Sequence, residues 1–294
     1  MEQRLPPWLR VRLPRPEVLS DVQKMIQDAR LHTVCQSARC PNLPECWSKR
    51  TATFMILGDI CTRRCGFCAI KTGRPQPVDP DEPARVADTA AQMGIKHVVV
   101  TSVARDELPD EGSGQFAATI RALHERIPEC IVEVLVPDFK AAEWRVKIVT
   151  DSGPEIFNHN VETVPRLQRT VRPQAKFERS LKTLETAKKL DPRIYTKSGM
   201  MLGLGETHEE IVDTLRALRG IGVDAVTIGQ YLRPTMNHLP VLEYITPERF
   251  KEYEAIGSEI GFAFVASAPF VRSSYNAIDF SKKMMAERLA KIGA

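Results

Sequence analysis

The 294-residue sequence lacks several features that define broad classes of protein. It has no apolar run near the roughly 20 residues that a membrane-spanning helix requires, and its first residues contain no apolar signal-peptide core. Aromatic residues make up only 6% of the chain, the formal net charge is only +4, and no basic stripe is interleaved with aromatics. We therefore expect no membrane and no nucleic acid as partner, and a cytoplasmic location, where thiols stay reduced and available for metal binding or catalysis.

Two kinds of segment follow one another along the chain. Residues 1–50 contain six prolines, which break every candidate helix except 18–29, so we predict an irregular extension that wraps a larger body. From Thr51 onwards, short apolar runs alternate with helical patterns. Strands are predicted at 51–57, 97–102, 131–136, 155–158, 194–202, 225–228 and 262–266, and helices at 82–93, 115–126, 141–150, 177–190, 209–220 and 247–260.

Local signals mark several helix ends. Thr207 and Glu210 have the spacing of a capping box, in which each side chain satisfies a free amide at the helix start. Gly94 and Gly220 are expected to end their helices in the left-handed conformation.

A strand followed by a helix, repeated about six times, predicts parallel strands joined by right-handed crossovers. Both a β/α barrel and a doubly wound sheet satisfy this pattern, and in both the chemistry lies beyond the carboxyl ends of the strands. Polar segments that follow five of the strands begin at Cys61, Arg105, His159, Gly203 and Gln230. Such convergence favours the barrel, closed or partial. With the family resemblance described below, we expect an α/β fold with a partial (β/α)6 TIM-like barrel at 51–267, an N-terminal extension at 1–50 and a C-terminal extension at 268–294.

Six of the seven cysteines form two triplets. The second triplet, Cys61, Cys65 and Cys68, has the spacing C-x3-C-x2-C, and Gly66 lets the backbone bend around a cluster. Three thiolates on a four-iron cluster leave one iron open for a ligand, whereas a structural zinc site uses four ligands, usually in paired C-x2-C units. The spacing therefore favours an iron–sulfur cluster over zinc or unliganded thiols.

This triplet, with Phe67 before its last cysteine, resembles the radical S-adenosylmethionine (SAM) superfamily. The segment 199–206 is similar to the G-x-I-x-G-x-x-E strand of that superfamily, although Met201 stands at the isoleucine position. The resemblance implies a partial β/α barrel in which Cys61, Cys65 and Cys68 hold a 4Fe-4S cluster. It also implies that SAM binds the open iron and is cleaved reductively to methionine and a 5′-deoxyadenosyl radical.

The first triplet, Cys35, Cys40 and Cys46, has the spacing C-x4-C-x5-C and narrows the resemblance to the lipoyl synthase family. The similarity covers roughly residues 30–280. Further matching motifs lie at 58–61, 101–106, 157–163, 197–199, 229–232 and 272–275.

The family resemblance implies a second, auxiliary 4Fe-4S cluster. Cys35, Cys40 and Cys46 are its expected ligands, and the fourth is a serine of the R-S-S-Y motif, which we take as Ser274 rather than Ser273. A serine oxygen is a poorer match for iron than a thiolate, which suits an iron that must be surrendered. The implied reaction inserts two sulfur atoms, taken from this cluster, at C6 and C8 of a protein-bound octanoyl-lysine.

Further site residues are predicted with alternatives. Five polar residues at strand ends are predicted to contact SAM: Ser102, Asn160, Glu162, Lys197 and Gln230. Arg272 is expected either to stabilise the auxiliary site or to pair with a carboxylate. His159 is predicted to be a hydrogen-bonded strand-end histidine rather than a base, and Cys130 to be a buried thiol.

The implied partners are an octanoylated lipoyl carrier domain, such as the glycine cleavage H protein or the E2 subunits of 2-oxoacid dehydrogenases, a reductant such as ferredoxin or flavodoxin, and an iron–sulfur carrier that rebuilds the auxiliary cluster. A basic helix is predicted at 276–294. Three rivals remain: another two-cluster radical SAM enzyme, a non-catalytic electron carrier and a zinc-stabilised binding module. Ferredoxin-like carriers usually supply four cysteines per cluster on a small scaffold, which disfavours the second.

Overall fold

The computed structural model describes residues 5–10, 16–48 and 51–274, and three short 3-10 turns accompany its helices and strands. The helices are α1 (Pro16–Asp28), α2 (Val34–Ser37), α3 (Leu43–Ser48), α4 (Glu82–Met93), α5 (Ser113–Arg126), α6 (Glu143–Thr150), α7 (Gln168–Val171), α8 (Phe177–Leu190), α9 (His208–Gly220) and α10 (Pro247–Ile260). The strands are β1 (His32–Thr33), β2 (Thr53–Ile56), β3 (Ile60–Cys61), β4 (Lys71–Thr72), β5 (His97–Ser102), β6 (Ile131–Leu135), β7 (Ile156–Asn158), β8 (Tyr195–Leu202), β9 (Ala225–Gln230) and β10 (Phe264–Ser267).

The main sheet has eight strands in the order β1-β2-β5-β6-β7-β8-β9-β10. Strands β2 and β5 to β10 run parallel, and β1 adds an antiparallel strand at the β2 edge. Within the described residues the two ends of the sheet do not pair, so the barrel is partial, as predicted. All carboxyl ends of the parallel strands therefore open onto one rim.

The concave face of the sheet is built in layers. Successive side chains on a strand point to opposite faces, so residues two apart share a face. The first residues of five strands form an apolar floor, in which Ile131, Ile156 and Ala225 are buried and Tyr195 and Phe264 are partly buried. The opposite face packs Val98, Val100, Val132 and Val134 into the main core that includes the helices.

An ionic layer lies one step above this floor. Lys197 Nζ lies 2.9 Å from Glu133 Oε1, and both side chains are fully buried. Asn158 Nδ2 donates to the same carboxylate oxygen at 2.9 Å, and His97 Nε2 lies 3.2 Å from the other. Burial alone would raise the pKa of Glu133, but the ammonium of Lys197 lowers it to about 2, so the carboxylate is charged and fixed in the barrel.

The predicted strands and barrel helices are present, and helices α4, α8 and α10 have the predicted limits. The capping box of Thr207 and Glu210 is confirmed, and Gly94 is left-handed with φ 69°. The prediction for Gly220 is wrong, because α9 includes it and the left-handed residue is Gly222, with φ 87°.

The expectation of one helix in residues 1–50 is also incomplete. Within the described part of this extension, α2 and α3 carry Cys35 and Cys46, and β1 joins the main sheet. The predicted basic helix at 276–294 lies outside the described residues. Among the helices that are described, none is both long enough and apolar enough to cross a membrane.

Candidate functional site

The loop that carries the second cysteine triplet leaves the sheet just after β2. Cys61 ends β3, which pairs with β4 in a two-stranded parallel ribbon. The Sγ of Cys61 lies 3.4 Å from the amide nitrogen of Arg63 and 3.3 Å from that of Ala104, so two backbone N–H groups donate to it. Hydrogen bonds of this kind stabilise thiolates in iron–sulfur sites.

Buried ion pairs fasten this loop to the neighbouring strand ends. The guanidinium of Arg63 binds both carboxylate oxygens of Asp106 and lies 2.9 Å from Asp138. Asp138 is fully buried and also pairs with Arg179 at 2.7 Å. Although burial alone would raise the pKa of Asp138, Arg63 holds it far below its usual range. The ion pairs therefore fix the loop over the rim in one position.

A second loop covers the triplet from the β9 side. The amide of Leu239 donates to the carbonyl of Gly66 at 3.0 Å, and His238 Nε2 lies 3.0 Å from the carbonyl of Cys68. A Cβ at Gly66 would lie 2.9 Å from the side chain of Leu239. A larger residue at 66 would therefore have to displace the side chain of Leu239.

The chemistry of the second triplet fits an iron–sulfur cluster. Burial raises the pKa of Cys65 to about 11 and that of Cys68 to about 12, so binding of the cluster must displace their protons. Among the described residues, no three His, Cys, Asp or Glu side chains converge on a position for a single metal ion. Cysteine thiolates are the usual ligands of iron–sulfur clusters.

The end of β7 offers polar groups beside the cluster loop. Asn160 Nδ2 donates to Glu162 Oε1 at 3.0 Å, while the buried Oδ1 of Asn160 has no hydrogen-bond partner within the described residues. Burial raises the pKa of Glu162, and its charge also acts on Cys65 and Cys68, which places this carboxylate next to the triplet. The orphaned oxygen and the adjacent carboxylate suit the hydroxyl and ammonium donors of SAM.

The other three predicted SAM contacts are placed differently. The buried Oγ of Ser102 lacks a partner within the described residues, but strand alternation turns Ser102 to the helix side with Val100. Lys197 lies in the ionic layer beneath the mouth, paired with Glu133. Gln230 is fully buried and its amide bonds four backbone groups, so we assign it to bracing a loop.

The glycine-rich segment after β8 shapes the mouth by close backbone packing. Gly203 has φ 105°, and a Cβ there would lie 2.4 Å from Gln230 Nε2 and 2.5 Å from the carbonyl of Glu243. The carboxylate of Glu206 accepts from the amides of Gly203 and Leu204 at 3.0 Å each. The glutamate therefore closes its own turn.

The first cysteine triplet lies on and between α2 and α3. Cys40 follows Arg39, which has φ 53°, and its amide donates to the carbonyl of Cys35 at 3.0 Å. The amide and hydroxyl of Thr51 both donate to the carbonyl of Cys46, at 2.9 and 2.8 Å. Burial raises the pKa of Cys35 to about 11 and that of Cys46 to about 12, with the neighbouring triplet thiols contributing. The three thiols are therefore close enough for the charge on one to affect the pKa of another.

Residues 268–274, which we call the C-terminal strap, contact the segment between Cys40 and Cys46. Asn42 Nδ2 donates to the carbonyl of Phe270 at 2.7 Å. Asn160 Nδ2 donates to Ser273 Oγ at 2.8 Å, and Ser273 and Ser274 are both partly exposed. Ser274, rather than Ser273, stays the predicted fourth ligand.

Arg272 lies between the two triplets. Burial lowers the pKa of its guanidinium, whereas the charges of Cys40 and Glu162 oppose this shift. Its Nη1 donates to the carbonyl of Val271 at 2.6 Å. Both expectations for Arg272 are thus compatible with its position, because it adjoins the auxiliary triplet and a carboxylate at once.

His159 and Cys130 occupy structural positions, as predicted. The two ring nitrogens of His159 lie 2.8 Å from the carbonyl of Val136 and 2.9 Å from Ser180 Oγ, and burial lowers its pKa to about 4. Cys130 is buried, and its thiol faces the carbonyl of Leu123.

Sequence reasoning assigned no role to two basic residues that support the site. Arg172 is buried and donates to the carbonyls of Asn160 and Val161, both at 2.9 Å. Arg105 donates to the carbonyls of Leu57 and Gln76, which lie on either side of the cluster loop. Arg105 follows the end of β5 and Arg172 follows α7, and a buried guanidinium needs several acceptors.

Comparison with known proteins agrees with this architecture. The model of the radical SAM superfamily matches residues 55–218. Methylornithine synthase has a similar fold, with a TM-score of 0.52 and 13% identity over 96% of this chain and 90% of that one. SuiB from Streptococcus suis, bound to S-adenosylmethionine, gives a TM-score of 0.59 and 13% identity over 79% and 55% of the two chains. The fold and the triplet at its rim define a radical SAM protein.

Full-length relatives narrow the assignment. Lipoyl synthase from Rubrobacter xylanophilus is 58% identical over 92% of this chain and 85% of its own length. Lipoyl synthase from Caldanaerobacter subterraneus is 54% identical over 94% and 97% of the two chains. The chain belongs to the lipoyl synthase family.

Proposed function

We propose that this chain is a sulfurtransferase that converts a protein-bound octanoyl-lysine into lipoyl-lysine by inserting sulfur at C6 and C8. When bound, SAM and its 4Fe-4S cluster supply a radical that removes hydrogen from unactivated carbon, and an auxiliary 4Fe-4S cluster supplies sulfur. Acid–base side chains cannot perform such chemistry, so the protein's part is to bind, orient and shield. A reducing compartment such as the cytoplasm suits the free thiols.

The observation that carries the proposal is the link that the C-terminal strap makes between the two cysteine sites. The strap reaches the β7 end through the Ser273–Asn160 hydrogen bond, and Arg272 adjoins both Cys40 and Glu162. An acyl chain that enters this mouth would meet the hydrogen-abstracting site and the sulfur source together. A non-catalytic carrier would have no need for a shared mouth.

The residues then have distinct roles. Cys61, Cys65 and Cys68 hold the SAM cluster, and Asn160 and Glu162 bind SAM on the facing wall. The ligands of the auxiliary cluster are Cys35, Cys40, Cys46 and Ser274. The ion pairs of Arg63 keep the first of these sites rigid while the second is consumed.

The substrate is a lipoyl carrier domain, for which a glycine cleavage H protein and the E2 subunits of 2-oxoacid dehydrogenases are suitable. Reductive cleavage of SAM needs an electron donor such as ferredoxin or flavodoxin. Repeated turnover also needs an iron–sulfur carrier that restores the auxiliary cluster.

Anaerobic reconstitution tests the proposal. Wild-type protein is compared with a variant in which Cys35, Cys40 and Cys46 are all alanine, and with Cys130→Ala as the matched control. Iron, SAM cleavage and sulfur insertion into an octanoylated carrier are measured for each protein. We expect the triple variant to fall from about eight irons to about four, to retain SAM cleavage and to lose insertion. The Cys130 control should keep all three properties.

Sulfur insertion by the triple variant would contradict the auxiliary site as sulfur source. Absence of SAM cleavage by the wild type would contradict the radical chemistry and favour an electron carrier.

A further inference from the structure

The amide of Asn160 joins the two proposed sites. One Nδ2 hydrogen goes to Glu162 Oε1 at 3.0 Å and the other to Ser273 Oγ at 2.8 Å. Because a carboxylate accepts hydrogen bonds, it orients the amide with Nδ2 towards Glu162 and leaves Oδ1 facing away. That oxygen is buried and has no partner within the described residues.

The neighbouring backbone leaves room for this arrangement. A Cβ on Gly199 would lie 2.8 Å from Asn160 Oδ1 and 2.7 Å from Thr227 Oγ1. The amide is therefore held on two sides by hydrogen bonds and has a glycine beside its oxygen. With both N–H groups occupied, Asn160 can act towards a ligand only as an acceptor.

The strap is held to the barrel by a series of contacts that ends at Ser273. Ala268 and Gln230 make backbone bonds at the start of the strap, and Asn42 holds the carbonyl of Phe270. Ser273 is next to Ser274, which we propose as a ligand of the auxiliary cluster. The position of the Ser273 hydroxyl therefore constrains the position of Ser274.

We propose that Ser273 is a positioning residue that couples SAM binding to the placement of the strap through Asn160. This inference rests on the proposed function for the identity of the ligand. A hydroxyl or ammonium group of SAM that donates to Asn160 Oδ1 polarises the amide and strengthens its hydrogen bond to Ser273, since linked hydrogen bonds reinforce one another. By reciprocity, a seated strap increases the affinity of Asn160 for the donor.

The test compares reconstituted wild type, Ser273→Ala and Ser273→Thr, in which threonine keeps the hydroxyl. Binding of SAM is measured at equilibrium without carrier. Hydrogen–deuterium exchange of the peptide that covers 268–274 is measured with and without SAM, and iron is counted. We expect SAM to protect this peptide in the wild type and the threonine variant only. We also expect SAM affinity to fall about fivefold in the alanine variant, which corresponds to about 1 kcal/mol.

Asn42→Ala separates coupling from simple loosening, because it removes another tether of the strap without touching Asn160. It should speed exchange of the strap while SAM still slows it. Equal SAM affinity and equal protection in wild type and Ser273→Ala would overturn the proposal. An iron count of about four in every protein would refute the auxiliary cluster, yet the exchange data would still decide the coupling.

Discussion

The two cysteine triplets are held in physically different ways. The Cys61 triplet lies in a loop fixed by buried ion pairs to Asp106 and Asp138 and covered by the loop of Leu239. The Cys35 triplet lies on two short helices, held by neutral hydrogen bonds from Thr51 and Asn42 and closed by a strap from the far end of the chain. A rigid site suits a cluster that is reused, and a site closed by a separate segment suits one that is dismantled.

The largest effect is expected from breaking the ion pairs that hold the loop of the Cys61 triplet. Asp138→Asn removes a fully buried charge that pairs with Arg63 and Arg179, and loss of one partner of such a pair costs about 3 kcal/mol. Denaturant unfolding of the cluster-free protein measures this loss, and the reconstituted variant should lack the iron of the SAM site. Asp151→Asn is the control, since its exposed pair with Lys147 should contribute less than about 0.5 kcal/mol. Equal losses in both variants would contradict the account.

The next largest effect is expected from displacing the C-terminal strap. A Cβ at Gly229 would lie 2.1 Å from the carbonyl of Val271, so Gly229→Ala should push the strap off the barrel. We expect loss of the auxiliary iron and of sulfur insertion, with SAM cleavage retained. Gly220→Ala has open space and should have no effect on either activity. Normal insertion by the Gly229 variant would show that the strap is not needed in this position.

A smaller effect is expected from removing the charge of Arg272, which lies between the two cysteine triplets. Arg272→Gln removes the guanidinium that faces Cys40 and Glu162, whereas Arg272→Lys keeps a positive charge. Single-turnover sulfur insertion should slow about tenfold in the glutamine variant, equivalent to about 1.4 kcal/mol, and less in the lysine variant. Equal slowing in both variants would assign the role to the shape of arginine rather than its charge.

The smallest effect is expected from replacing His159, which directly follows β7. Burial lowers its pKa from 6.5 to about 4, so the unfolded chain binds the proton more readily than the folded one. The folding stability that neutral His159 supports is present above pH 6.5 and is lost as the pH falls towards 4. Unfolding of the cluster-free protein across this range should show a flatter pH dependence in His159→Gln. If the free energy of unfolding depends on pH equally in the wild type and in His159→Gln, the low pKa of His159 is contradicted.

Features set by local chemistry could be predicted from the sequence. The alternation of strands and helices predicted a parallel α/β fold, and the Thr207 capping box depends on residues three apart. Short helices such as α2 and α3 depend on tertiary contacts instead, so the prolines around them were misleading. Likewise, Gly220 and Gly222 are equivalent as sequence signals, and of the two Gly222 is left-handed.

Partners distant in the chain limited the prediction of the site. Lys197 was correctly placed on a strand, but its partner Glu133 is 64 residues away. A charge of each sign within apolar strands could have indicated a buried pair inside the barrel. Gln230 shows the same limit, because its bonds to the loop at 243–245 depend on how that loop returns to the sheet.

Sulfur transfer in a single turnover tests the central claim, that one triplet is kept and the other is consumed. Wild-type protein is reconstituted with heavy-isotope sulfide, given an octanoylated carrier, SAM and reductant, and assayed for the isotope in the product and for residual iron. We predict two heavy sulfur atoms per lipoyl group, a fall from about eight irons to about four, and SAM cleavage that persists after insertion has stopped. A product without the isotope, or an unchanged iron content, would contradict the account.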